Sequence, residues 1–127
     1  MAVITFDMAL EALNAVVDEK GDDYVYEGGR MSRTYAAYDE PSCIVGNALH
    51  RLGVPIPTLV EMDRRTIDGA AISSRKVLEV LEGSGFILDN DAVMLLATAQ
   101  VLQDAEIPWG DAVRMAREEP VEWRVIH

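Results

Sequence analysis

The segment Asp91–Ala105 constrains this chain more than any other. Its apolar residues, among them Val93, Leu95, Leu96, Ala99, Val101 and Leu102, cover most of a helical circumference. An ordinary surface helix carries one apolar stripe, whereas a helix apolar nearly all round has to be wrapped by other elements. Its most apolar run, Ala92 to Ala99, falls well short of the roughly 18 residues a membrane span needs. The segment therefore predicts the central helix of a packed domain, capped by Asp89 or Asn90.

Elements able to wrap it are legible on both sides. Thr5 is placed to cap a first helix in which Phe6, Leu10, Leu13 and Val17 recur at helical spacing, and Gly21 ends it. Pro41 and Ser42 open a second helix, from about Ser42 to Leu52, with Ile44, Val45, Ala48, Leu49 and Leu52 on its buried face. Pro55 and Pro57 bracket a connection into a short helix near Thr58–Met62. Ser73 is placed to cap a helix over Ser73–Glu82, with Ile72 and Val77 as its hydrophobic staple and Gly83 as its stop. Phe86-Ile87-Leu88 reads as a short extended run, and Pro108 starts a last helix over Trp109–Glu118. Val121, Trp123 and Val125 alternate with polar neighbours as in a final strand. Tyr24-Val25-Tyr26 and Thr34–Tyr38 read as two strands of a small hairpin joined through Gly28-Gly29. The expected fold is predominantly helical α+β: five or six helices packed round the apolar helix at about 91–105, with one small β-hairpin. No linker, repeat or low-complexity tract divides residues 1–127, so a single domain is expected.

Half of the residues are apolar, enough for a core without disulfides, and a single cysteine, Cys43, excludes an intramolecular bridge. The N-terminal MAVITFDMALEAL lacks the basic start of a secretory signal, so the expectation is a cytoplasmic protein. The formal charge of −11 divides into −6 over residues 1–50, zero over 51–85 and −5 over 86–127. Such a surface repels phosphate backbones and anionic membranes unless a local basic face overrides it. Solubility alone accounts for an acidic surface; a basic protein partner is the sharper reading.

Few residues carry recognisable chemistry. Gly83-Ser84-Gly85 follows a helix instead of opening one, so it is a turn and not a phosphate cradle. One cysteine and two histidines without H-x-x-x-H or C-x-x-C spacing predict no metal site, and Asp89-Asn90-Asp91 reads as a helix cap and not a calcium loop. No cofactor motif is present. Cys43, in the expected first turn of the second helix, is either a helix-activated nucleophile or a small buried hydrophobe. His50 lies two helical turns from it, too far to act as its base. Tyr24, Tyr26, Tyr35 and Tyr38, the four tyrosines of the chain, fall in one glycine-bearing loop region, which makes them candidate partner-binding residues.

Three resemblances bear on function. Cys43-Ile44-Val45 followed by Leu52–Pro57 loosely resembles the nucleophile helix of the NlpC/P60 cysteine peptidases, which implies a cysteine hydrolase. Ile72–Glu82 followed by Gly83–Ile87 resembles the recognition helix and first wing strand of winged helix-turn-helix proteins. That resemblance implies nucleic-acid binding through Arg75 and Lys76, extended by Arg64 and Arg65. Cys43–Val54, Leu96–Asp104 and Trp109–Val113 together look like small acidic proteins of unknown function encoded by actinobacterial phages. This implies an accessory protein that binds host machinery and is not an enzyme. The leading expectation is accordingly a non-enzymatic binding protein that engages a protein partner through an acidic, tyrosine-bearing surface. Nucleic-acid binding ranks second and hydrolysis third; the sequence leaves self-association open.

Overall fold

In chain order the elements are β1 (Ala2–Ile4), α1 (Phe6–Lys20), β2 (Ala36–Ala37), β3 (Glu40–Pro41), α2 (Ile44–Arg51), α3 (Ile56–Arg64), α4 (Arg75–Gly83), β4 (Phe86–Leu88), α5 (Asn90–Asp104) and α6 (Trp109–Glu118). They come from a computed structural model that describes residues 2–26, 34–65 and 71–118. The architecture is the expected predominantly helical α+β fold. The expected strand over 121–126 and the Gly28-Gly29 connection lie outside the described residues.

Local chemistry sets most boundaries. The Thr5 hydroxyl accepts from Met8 N–H at the start of α1, and Gly21, at φ 101°, returns its N–H to the Val17 carbonyl at the end. The Asp89 carboxylate accepts from Ala92 N–H and starts α5. α5 packs against α1, α2 and α6, with Leu95, Leu96, Ala97 and Ala99 fully buried. Alanines at 9, 12, 92, 99, 112 and 116 let the helix axes approach, so the core is dense without being aromatic-rich. α3 and α4 pack on each other, and α4 leads into β4.

Two glutamines on α5 tie the layers together. Gln103 Oε1 accepts from Ile44 N–H at 2.6 Å, which satisfies a donor at the start of α2. Gln100 Oε1 accepts from Ile72 N–H at 2.9 Å, and its Nε2 donates to the Tyr35 hydroxyl at 3.2 Å. Both are buried, where an unpaired amide would cost about 1–3 kcal/mol.

Several sequence-based expectations need correction. The hairpin is not 24–26 against 34–38: β2 pairs antiparallel with β3, Ala36 opposite Pro41 and Ala37 opposite Glu40. Tyr38 and Asp39 form its turn at φ 53° and 62°, the two-residue turn that suits the right-handed strand twist. Tyr24 instead braces α6: Tyr24 and Asp22 carbonyls accept from Trp109 and Gly110 N–H at 2.8 and 3.1 Å. The N-cap of α4 is Ser74, not Ser73, and it makes no side-chain capping bond. Cys43 is the N-cap of α2 and lies outside its first turn. The N-terminus adds a strand that has no sequence signature of its own. β1 pairs parallel with β4, with Ala2, Val3 and Ile4 opposite Phe86, Ile87 and Leu88.

Candidate functional site

The four candidate tyrosines do not share a surface. Tyr35 is 1% exposed. Its N–H and that of Ala36 donate to the two carboxylate oxygens of Asp63 at 2.9 and 3.2 Å. Burial pushes the Asp63 carboxyl up from its ordinary value, and these two donors oppose the shift. Burial also raises the Tyr35 hydroxyl. Tyr24 packs edge-on against Trp109 at 4.6 Å between centroids, and Tyr26 lies tilted on the same ring at 6.2 Å. Tyr26 also shares a 2.6 Å hydrogen bond with the Ser42 hydroxyl. These three are core and brace residues. Only Tyr38, held at the hairpin tip with its side chain fully exposed, is open to a partner.

Cys43 is buried, and its Sγ accepts from Gly46 N–H at 3.3 Å. Burial pushes its thiol up to about 12; the Gly46 N–H opposes this, and the nearby Asp63 carboxylate reinforces it. The thiol is thus protonated at neutral pH, whereas the nucleophile of a cysteine hydrolase is a thiolate. His50 is exposed, and its Nδ1–H donates to the Val54 carbonyl at 3.1 Å. The reading of Cys43 as a small buried hydrophobe fits this geometry, and the nucleophile reading does not.

Arg64, Arg65, Arg75 and Lys76 are all exposed, at the end of α3 and the start of α4. Arg65 pairs with Glu61 at 3.5 Å. α4 borders a shallow open depression of about 390 Å³ lined by Ser73, Arg75, Leu78, Glu79 and Glu82, so two carboxylates share the surface with the one arginine. Among the described residues the strand after α4 lacks the geometry of a wing. A wing needs an antiparallel partner, whereas β4 pairs parallel with β1 and passes directly into α5.

A different grouping emerges once the elements are placed. Residues 1–19 hold four acids and no lysine or arginine, and residues 77–113 hold seven acids and again no base. The remaining residues balance at eleven of each sign, so the whole formal charge of −11 resides in these two stretches. They are far apart in the chain but meet in the fold: the first forms β1 and α1 up to Glu19, and the second runs from α4 through β4 and α5 into α6. Asp89, Asp91, Asp104 and Glu106 lie in or beside the β4–α5 unit, Glu79 and Glu82 on α4 and Asp111 on α6. The strands of the β1–α1 and β4–α5 units pair, and their helices pack on one another. Asp7, Glu11, Asp18, Asp91 and Glu106 are exposed, while Glu19 pairs with Arg51 at 3.0 Å near the far end of α1. Asp111 in the first turn of α6 pairs with Arg114. The signal was present in the sequence, as two basic-free stretches, but a division at residues 50 and 85 merges the first with the bases of residues 20–50 and splits the second.

The outer face of the two-stranded sheet in this acidic half is apolar. Val3 and Ile87 stand opposite each other at 51% and 38% exposure, and Met8 in the first turn of α1 is 39% exposed. Among the described residues no group of three or more His, Cys, Asp or Glu is arranged to hold a metal ion, and no helix is long and apolar enough to cross a membrane. Comparisons with protein-family models, characterised proteins and solved structures found no match.

Proposed function

We propose that this chain is a non-enzymatic accessory protein, of the kind implied by its resemblance to phage proteins, whose acidic β–α half binds a basic surface of a partner protein. The observation that supports this most is the segregation of charge. Eight of the eleven acids of the two basic-free stretches lie in or beside the β1–α1 and β4–α5 units, whose strands pair and whose helices pack on one another. A one-signed surface of this kind speeds encounter with an oppositely charged partner and excludes like-charged ones. Tyr38, strained and fully exposed at its turn, is a separate aromatic contact point. The competing reading, nucleic-acid binding through Arg64, Arg65, Arg75 and Lys76, has less support because Glu61, Glu79 and Glu82 stand among those bases.

The test is affinity capture from a lysate of the source organism with wild-type protein and with the Asp7→Asn/Glu11→Gln/Asp91→Asn variant. The expected result is a stoichiometric basic partner that the variant loses, and that wild type releases as salt rises from about 50 to 200 mM. A partner retained equally by the variant would sink the proposal.

A further inference from the structure

We infer that the outer edge of β1, with the Val3–Ile87 face beside it, is the docking strip for an extended, basic segment of the partner; this rests on the reading that the acidic half meets a basic protein. The backbone supplies the first argument. Ala2 N–H donates to the Gly85 carbonyl at 2.8 Å, and the Ile4 carbonyl accepts from Asp89 N–H at 3.0 Å. Peptide groups alternate sides along a strand, so the Val3 N–H and C=O point away from β4. Among the described residues no strand lies against that side. An edge of this kind accepts an added strand through main-chain hydrogen bonds, and pockets or faces for alternate side chains give selectivity.

The side chains supply the second argument. An added strand would extend the face on which Val3 and Ile87 are exposed, so its same-side residues would be apolar. Asp7 follows β1, and Asp89 and Asp91 follow β4, while no lysine or arginine occurs in either stretch. Lysine or arginine at the intervening positions of the incoming strand complements those carboxylates. A second copy of this chain fits poorly. It would bring another −11 against the strip, and two three-residue edges bury far less than the roughly 1,200 Å² of a stable interface.

The probe is an acetylated, amidated peptide of four Lys-Val repeats, followed by amide chemical shifts and hydrogen exchange of the full-length protein. Saturable binding with protection of the Val3 amide is expected. The same peptide N-methylated at alternate residues should bind at least about tenfold more weakly, since it forfeits strand hydrogen bonds. Val3→Pro should weaken binding comparably while leaving the β1–β4 ladder paired, because the amide it deletes faces outward. The N-methylated peptide keeps the test valid should Val3→Pro disturb β1. Equal binding of both peptides, abolished by Asp7→Asn/Glu11→Gln/Asp91→Asn, would overturn the strip and leave the acidic reading standing. Peptide binding unaffected by that triple variant would overturn both. No binding at millimolar peptide, or a dimer in sedimentation that Val3→Pro dissociates, would also overturn the strip.

Discussion

Replacing Gly46 by alanine is the sharpest test of the packing described above. On a helical position glycine is worse than alanine by about 0.5–1 kcal/mol, so propensity alone forecasts stabilisation. The structure forecasts the reverse. A Cβ at position 46 would lie 2.8 Å from the Tyr35 carbonyl carbon and 3.0 Å from its Cα, and closer still to the carbonyl oxygen. These are backbone atoms and cannot rotate away. Relief requires α2 and residues 34–36 to separate, and that segment is held on three sides. The Tyr35 carbonyl accepts from Ser42 N–H, its N–H donates to Asp63, and its hydroxyl accepts from Gln100. Overpacking costs about 1–3 kcal/mol and losing one such bond adds about 1 kcal/mol, so after the propensity gain a net loss of about 1–3.5 kcal/mol is expected. Gly83→Ala is the matched control, since nothing lies within 4 Å of its added Cβ. It should stabilise by a few tenths to about 1 kcal/mol. Urea denaturation followed by circular dichroism measures both. If Gly46→Ala unfolds at the wild-type midpoint or above it, the close approach of α2 to Tyr35 is wrong.

Further outcomes follow from the same contacts. Trp109→Ala removes a fully buried ring on which Tyr24 and Tyr26 pack, and should cost about 3–5 kcal/mol in chemical denaturation; a loss under about 1 kcal/mol would place the indole at the surface. Gln103→Leu leaves Ile44 N–H buried without its acceptor and should cost about 1–3 kcal/mol, read by the same assay. Cys43 binds its proton more tightly folded than unfolded, so its contribution to stability is full below the ordinary thiol value of 9.0 and is lost as pH rises towards about 12. The unfolding free energy should therefore fall across that window, and less so in Cys43→Ala; native protein should resist a thiol reagent at neutral pH that labels the unfolded chain at once. Mixed-sequence duplex DNA should give no salt-sensitive anisotropy change between about 50 and 200 mM salt; micromolar binding lost in Arg75→Ala/Lys76→Ala would restore the nucleic-acid reading.

Where the helices lie is legible in the sequence, because helix signals are local. Thr5 and Gly21 bound α1, Asp89 starts α5, and Pro108 precedes α6 through groups within four residues of one another. The helical class of the fold was legible too, since the apolar spacing of α1 and α2 follows the 3.6-residue period. What each residue faces was decided only by the tertiary structure. Tyr24, Tyr35 and Tyr38 look alike as a cluster in the chain, yet one braces Trp109, one is sealed beneath Asp63 and Gln100, and one stands in solvent. β1 had no local signature because a three-residue strand exists only through its pairing with β4, more than 80 residues away. Gln100 and Gln103 look like interruptions of an apolar helix until the amides of Ile72 and Ile44 meet them. The acidic half has the same origin: two separate basic-free stretches are brought together when β1 pairs with β4 and α1 packs on α5. Caps and periods act over a few residues, whereas strand partners, buried amides and summed charge depend on residues that only folding brings together.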